Sequence, residues 1–434
     1  DTRARERRQH VPAPRTHLDL LRMPSAQKRL IHHWVTFTST KLVLIDEPTN
    51  PCRALMLPMA LRGVTASSDT STADIATFHA ICACAAYNLY NLRDQSSATP
   101  AAAGDADHEL ALAHDQEAIQ HLRHNLSQAD SHHDQSFAMA IMACITIEAV
   151  SGSTRRWRTH VTGGLAYLSR LRARAAGKGA DADVFAAFQA HMVSMAILCG
   201  CDDISEDLKS FLHGAQRMEL TFPYYGASSS FLRHQDRMNS LAGGARGNGM
   251  ILDEDVSREL DALELQLYLD FPPAPGRGIT GIMPPPTHAL MLHHMAQAFY
   301  YASLVFCQRC VRRAPLASVQ GLVESGVRQL EAIEAVSGGE AGSVMMWPAL
   351  VLAAECGEEQ GLQSRMLAWF EAKSKFGFRN VVVLQELVQT LWAMRRGRER
   401  EGEGTAGDGG NADDAGELRW QEMMCEEKFD VFRL

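Results

Sequence analysis

Apolar residues recur in this chain at three- and four-residue spacing, and that spacing dictates helices. Between residues 73 and 92, Ile75, Phe78, Cys82, Ala85, Ala86 and Leu89 fall on one face of a helix of 3.6 residues per turn. Leu112, Ile119, Leu122 and Leu126 repeat the pattern within residues 107–126, and Met291, Met295, Ala298, Ala302 and Val305 within 287–313. No segment shows convincing period-two alternation between turn signals, so no sheet is predicted. The predicted helices differ in length and share no fixed repeat, which argues against a solenoid. The expected class is all-α: an irregular multi-helix array. At 434 residues it is read as one large domain or two fused helical halves.

Composition shifts set the boundaries. Residues 1–24 are a basic, Pro-punctuated, flexible lead-in carrying Arg3, Arg5, Arg7, Arg8 and Arg15. Helical patterning starts near Ser25, read as an N-cap, and the main helical region is placed at 25–396. Within it, Asp46-Glu47-Pro48-Thr49-Asn50-Pro51 must turn, because a residue preceding proline is driven out of the helical region. Residues 95–107 read as a linker, 222–250 as an irregular stretch with a Gly-rich end, and 271–286 as structureless. Helices are predicted at 134–152, 156–174, 182–200, 205–219, 253–268, 318–336, 344–356, 361–375 and 381–396. Residues 397–416, rich in Gly, Asp and Glu, are expected to be disordered. Residues 417–434 interleave acids with Trp420, Met423, Met424, Phe429, Val431 and Phe432. They are read as an amphipathic helix docked on its own domain, in preference to an activation segment that orders on a coactivator.

Several function classes fall away. Apolar residues make up 46% and charged residues 21% of the chain, a globular profile. The net charge of -9 supplies no global basic field for nucleic acid. The N-terminus lacks the apolar segment of a secretory signal. Residues 184–201 carry no charge but include Gln189, His191 and Ser194, so they read as a buried helix rather than a membrane span. The ten cysteines are scattered on apolar segments, as free core residues in a reducing compartment would be.

The chemistry-bearing motifs are sparse. Cys307 and Cys310 form a lone CxxC inside a predicted helix, whereas a zinc site needs four ligands. The pairs His32-His33, His132-His133 and His293-His294 cannot converge on one ion where they are helical, because adjacent helical residues point about 100° apart. His121 and His124 could face together, but no third ligand is evident. The series from Asp253 to Glu264 imitates a calcium loop, yet Arg258 stands where the turn needs Gly; a helix start is preferred. Asp202-Asp203-Ile204-Ser205-Glu206 is a weak imitation of a metal-binding acidic run. No nucleophile, base and oxyanion donor come together, so no catalytic residue, metal ligand or cofactor is assigned.

Four segments in order resemble the second type of fungal-specific transcription factor domain: the turn at 46–51 with Leu55-Met56-Leu57-Pro58-Met59-Ala60; the Ala-rich helix at 75–92, leading to His121-Leu122; Arg156-Trp157-Arg158-Thr159-His160-Val161-Thr162-Gly163-Gly164; and Trp347-Pro348 with Trp369 and Arg379-Asn380. The resemblance covers residues 25–396. In that family, whose members include regulators of arginine and GABA catabolism and of sexual development, the domain follows a binuclear zinc cluster of six cysteines. The resemblance implies an all-helical regulatory and dimerisation domain, nuclear action on RNA polymerase II transcription, and no enzymatic activity.

The departure is the zinc cluster, whose cysteine spacing occurs nowhere here. Because the chain begins at Asp1 rather than Met, the expectation is that a DNA-binding module, with the only zinc, precedes residue 1. Arg3, Arg5, Arg7 and Arg8 then resemble the basic linker that trails such a cluster and would touch the DNA backbone. Expected partners are a second copy of the chain, coactivators or a small-molecule effector, with no membrane. The alternative is a stand-alone helical scaffold that has lost its cluster. Trp157, His160 and Trp347 are candidates to line an effector pocket; the competing and favoured role is packing, with Gly163 and Gly164 allowing close helix approach.

Overall fold

In a computed structural model, the residues described are 23–65, 72–95, 101–127, 134–175, 182–201, 204–213, 227–244, 254–272, 285–343, 346–358, 361–403 and 419–433. They form helices α1 (Ser25–His33), α2 (Ser39–Lys41), α3 (Leu57–Val64), α4 (Thr72–Asp94), α5 (Ala101–Ser127), α6 (Asp134–Ser151), α7 (Arg156–Ala175), α8 (Ala182–Leu198), α9 (Glu206–Lys209), α10 (Ser229–Gly244), α11 (Glu254–Leu269), α12 (Pro286–Phe306), α13 (Gln320–Ser337), α14 (Met346–Ala354), α15 (Leu362–Ser374), α16 (Arg379–Glu403) and α17 (Trp420–Met423). Among the described residues no strand forms, and an isolated bridge joins Thr154 to Val431. The all-α class is as the apolar spacing predicts.

Helix α4 is the axis of the first helical group and packs against α1, α3, α5 and α6. The sequence pattern predicts one apolar face. Instead α4 is buried on nearly every side, because its small residues Ala80, Cys82, Ala83, Cys84, Ala85 and Ala86 let neighbours close in all round. The second group is built on α12, which packs against α13 and α14, with α15 and α16 completing the layer. At its centre Trp347 stacks on Phe299 at 5.9 Å and meets Phe231 edge-on at 5.5 Å. Helices α7, α8 and α10 lead in sequence of contact from α6 to α12. A single hydrophobic core runs through both groups, from Leu30 to Phe432.

Several expected boundaries shift, each for a physical reason. Helix α5 starts at Ala101, inside the predicted linker, because an alanine run favours helix despite Gly104. Helix α10 occupies much of the stretch read as irregular. Its buried stripe of Phe231, Leu232, Gln235 and Met238 was masked by a polar residue, Gln235, at a core position. Helix α16 runs on to Glu403, seven residues into the segment expected to be disordered; the rest of that segment, from 404 to 416, lies outside the described residues. Of the two glycines expected to admit a close helix, Gly164 does so: a Cβ there would lie 2.4 Å from Met192 Cε. Gly163 faces open space.

The two groups are fastened where α4 meets the turn between α15 and α16. Asn88 Nδ2 donates to the carbonyls of Phe376 (2.7 Å) and Gly377 (3.1 Å). Asn91 Nδ2 donates to Gly377 O and Val150 O, both at 2.9 Å. Asn88 Oδ1 in turn accepts from Thr38 Oγ1 at 3.2 Å and lies 2.9 Å from His33 Nε2. Partners of this kind are what make a buried amide tolerable on an apolar helix. Gly377 has φ +72°, and a Cβ there would lie 2.8 Å from both Asn88 Nδ2 and Leu92 Cγ.

Gly377→Ala therefore combines left-handed strain with a collision at the clamp. It is expected to cost about 2–4 kcal/mol. Gly338→Ala serves as the control: φ there is +64° but the surrounding space is open, so strain alone costs about 1 kcal/mol. Urea unfolding of the two variants checks the difference.

Candidate functional site

Beside the clamp, the last turn of α4 and the α15–α16 corner leave a cleft of about 380 Å³, within the range of small-molecule sites. Asn91 and Phe378 form its buried floor. Asp94 and Glu371 bring negative charge to its exposed rim, and Lys375 and Arg379 bring positive charge. Gln95 Nε2 donates to Ser374 O at 2.8 Å and closes one edge. The aliphatic stem of Arg379 lies over Gly152, where a Cβ would be 2.6 Å from Arg379 Cγ. The corner thus touches α4 and the end of α6 at once. Mixed charge around a floor of one amide and one aromatic ring suits a polar or zwitterionic metabolite better than an apolar one.

A second polar centre lies at the start of α7. The guanidinium of Arg156 makes a two-pronged pair with Asp115, at 2.8 and 2.9 Å, and lies 2.9 Å from Glu148 Oε1. Glu148 is fully buried and also accepts from Ser153 Oγ. One residue on, the indole of Trp157 donates to Asp430 O at 3.0 Å. Arg158 grips the Asp430 carboxylate at 2.7 and 2.8 Å and lies over the Trp157 ring. Asn380, at the start of α16, donates to Phe432 O at 3.2 Å. The C-terminal segment is thereby captured from both sides. Trp420, Met423, Met424, Phe429, Val431 and Phe432 are all buried in the domain, in α17, a 3-10 turn and an extended end rather than in one amphipathic helix.

The three residues nominated for an effector pocket are not brought together in the cleft. Trp157 and Trp347 are buried packing anchors, in the tail lock and the α12–α14 centre respectively. His160 Nε2 lies 3.4 Å from Glu148 Oε1, among the charges around Arg156. None of the three lines the cleft. Arg3, Arg5, Arg7 and Arg8 lie outside the described residues, as do Asp202, Asp203 and His132-His133. The acidic series from Glu254 onward is helix α11, with Asp261 and Glu264 paired to Arg312. Sequence reasoning missed Asn88, Asn91 and Gly377. Their signal was an Asn pair at three-residue spacing within an Ala- and Cys-rich helix.

A binuclear zinc cluster does not fit the cysteines of this chain. Among the described residues no three of them come close enough to share an ion, and a zinc site needs four ligands. Burial pushes the thiols of Cys52, Cys199 and Cys310 up to about 12 and that of Cys307 to about 11.

Asp430→Ala is expected to leave Arg158 without its carboxylate and to destabilise the domain by about 1–3 kcal/mol. Hydrogen exchange at residues 428–433 should rise with it; unchanged protection there would mean that apolar burial alone holds the tail.

No curated protein and no solved structure matches the chain. The family model for the fungal specific transcription factor domain matches residues 29–432, which takes in the second half of the first helix, both helical groups and the docked C-terminal segment. That match agrees with the ordered motifs read from the sequence and extends past them to the tail. The chain belongs to the fungal specific transcription factor domain family.

Proposed function

We propose that this domain is the regulatory part of a zinc-cluster transcription factor acting on RNA polymerase II in the nucleus. DNA reading belongs to a zinc cluster outside these 434 residues. Small-molecule occupancy of the cleft is the regulatory input. The observation that carries the reading is the position of the cleft: its floor, Asn91, is also part of the clamp that fastens the α15–α16 corner to α4. A ligand held there contacts both helical groups, so it favours one arrangement of them over another by its difference in affinity for the two. The family is not an enzymatic one, and the cleft presents no nucleophile with an oriented base. Homodimerisation and coactivator contacts complete the reading as the output side. No helix among the described residues is long and apolar enough to cross a membrane.

Two measurements test this. Tethered to an unrelated DNA-binding module, the chain is expected to raise or lower reporter transcription; no effect in either direction would favour a stand-alone scaffold. A thermal-shift panel of amino acids, small carboxylates and small amines is expected to contain a compound that stabilises the chain. The stabilisation should reach about 2.7 kcal/mol at one hundred times its Kd. Asp94→Ala and Arg379→Ala should abolish that gain. Stabilisation by no compound, or stabilisation that survives both substitutions, would remove the cleft from the mechanism.

A further inference from the structure

Helices α4 and α5 are the most extensively packed pair in the fold, and their interface carries an imidazole-rich cluster. His114, Glu117 and His121 stand at positions i, i+3 and i+7 of α5, on one face. His79 reaches across from α4. The Nδ1 atoms of His79 and His114 are 2.9 Å apart, so one ring donates to the other's lone pair. His79 stacks against His121 with ring centroids 5.7 Å apart. Glu117 Oε2 lies 3.8 Å from His121 Nε2. One ligand atom from each of His79, Glu117 and His121 falls within 4.8 Å of the others.

We infer that His79, Glu117 and His121 form a three-ligand site for a divalent transition-metal ion of the zinc class, with His114 as the residue that orients His79. Two imidazoles and a carboxylate are a donor set zinc accepts, and a fourth position facing solvent takes water. Tetrahedral bonds of about 2.0 Å place ligand atoms roughly 3.3 Å apart, so closing the site takes only small side-chain movements. The arrangement at His79 is the one metal sites use: one ring nitrogen bound to an orienting neighbour, the other left for the ion. His79 Nδ1–H donating to His114 leaves the Nε2 lone pair for the metal. Glu117 is exposed and provides the entry side. The ion would join α4 to α5 across their interface, independently of the cleft at the other end of α4. Sequence inspection pairs His121 with His124 and finds no third ligand because His79 lies on a different helix, 35 to 42 residues before His114, Glu117 and His121.

The test is calorimetric titration of the metal-stripped 434-residue chain with Zn2+. One equivalent should bind and raise the unfolding temperature. His79→Gln and His121→Gln should each weaken that binding at least about tenfold through loss of one ligand, and His114→Phe should weaken it about 10–100-fold. His124→Gln should leave it unchanged. Glu117→Gln, at an exposed position, leaves the fold intact and must itself weaken binding and alter the visible spectrum of the Co2+-loaded chain. Absence of Zn2+ binding overturns the site. So does binding that survives Glu117→Gln and both histidine substitutions, which would place the ion on other histidines.

Discussion

The architecture depends on a few hydrogen bonds between two asparagine amides and one glycine-containing turn. Asn88 and Asn91 lie three residues apart on a helix rich in small apolar residues, and their side-chain amides reach the carbonyls of Phe376 and Gly377. A buried amide without partners is costly, so the amides fix where the α15–α16 corner sits. The corner in turn requires a residue that accepts a positive φ and brings no Cβ against Asn88. Sequence, backbone and packing specify one another here, and the cleft is what remains beside the joint.

Other buried charges reinforce the same frame. Asp107 on α5 pairs with Arg29 of α1 and Arg93 of α4. Arg309 and Arg395 share Glu355 across the second group, with Arg309 Nε 2.8 Å from Glu355 Oε2. Lys373 of α15, fully buried, donates to Ala341 O at 2.6 Å and pairs with Glu334 of α13; burial holds its ammonium below the ordinary lysine value. Such pairs fix geometry more than they add stability, because desolvation offsets much of their attraction. What they supply is register among helices whose apolar faces alone would pack in several ways.

Much of the fold was legible in the sequence because period 3.6 is a local property. The helices at 156–174 and 182–200, the turn at 46–51 and the family motifs all follow from neighbours within a few residues. What was not legible is long-range. Trp157 reads equally as a pocket wall or an anchor until Asp430 is known to lie against it, 273 residues away. Gln235 breaks the stripe of α10 to the eye, although it is buried. The cleft draws on residues 91–95 and 371–385, and no spacing rule connects those two stretches.

The central claim is that the two helical groups form one cooperative unit joined at the α4 clamp. Urea unfolding followed at once by far-UV circular dichroism and tryptophan fluorescence tests it most directly, since Trp34 reports on the first group, Trp157 on the connecting helix α7, and Trp347, Trp369 and Trp392 on the second group. The account predicts a single transition, coincident by both probes. Two resolved transitions would contradict it, and with it the idea that a ligand at the joint is felt on both sides.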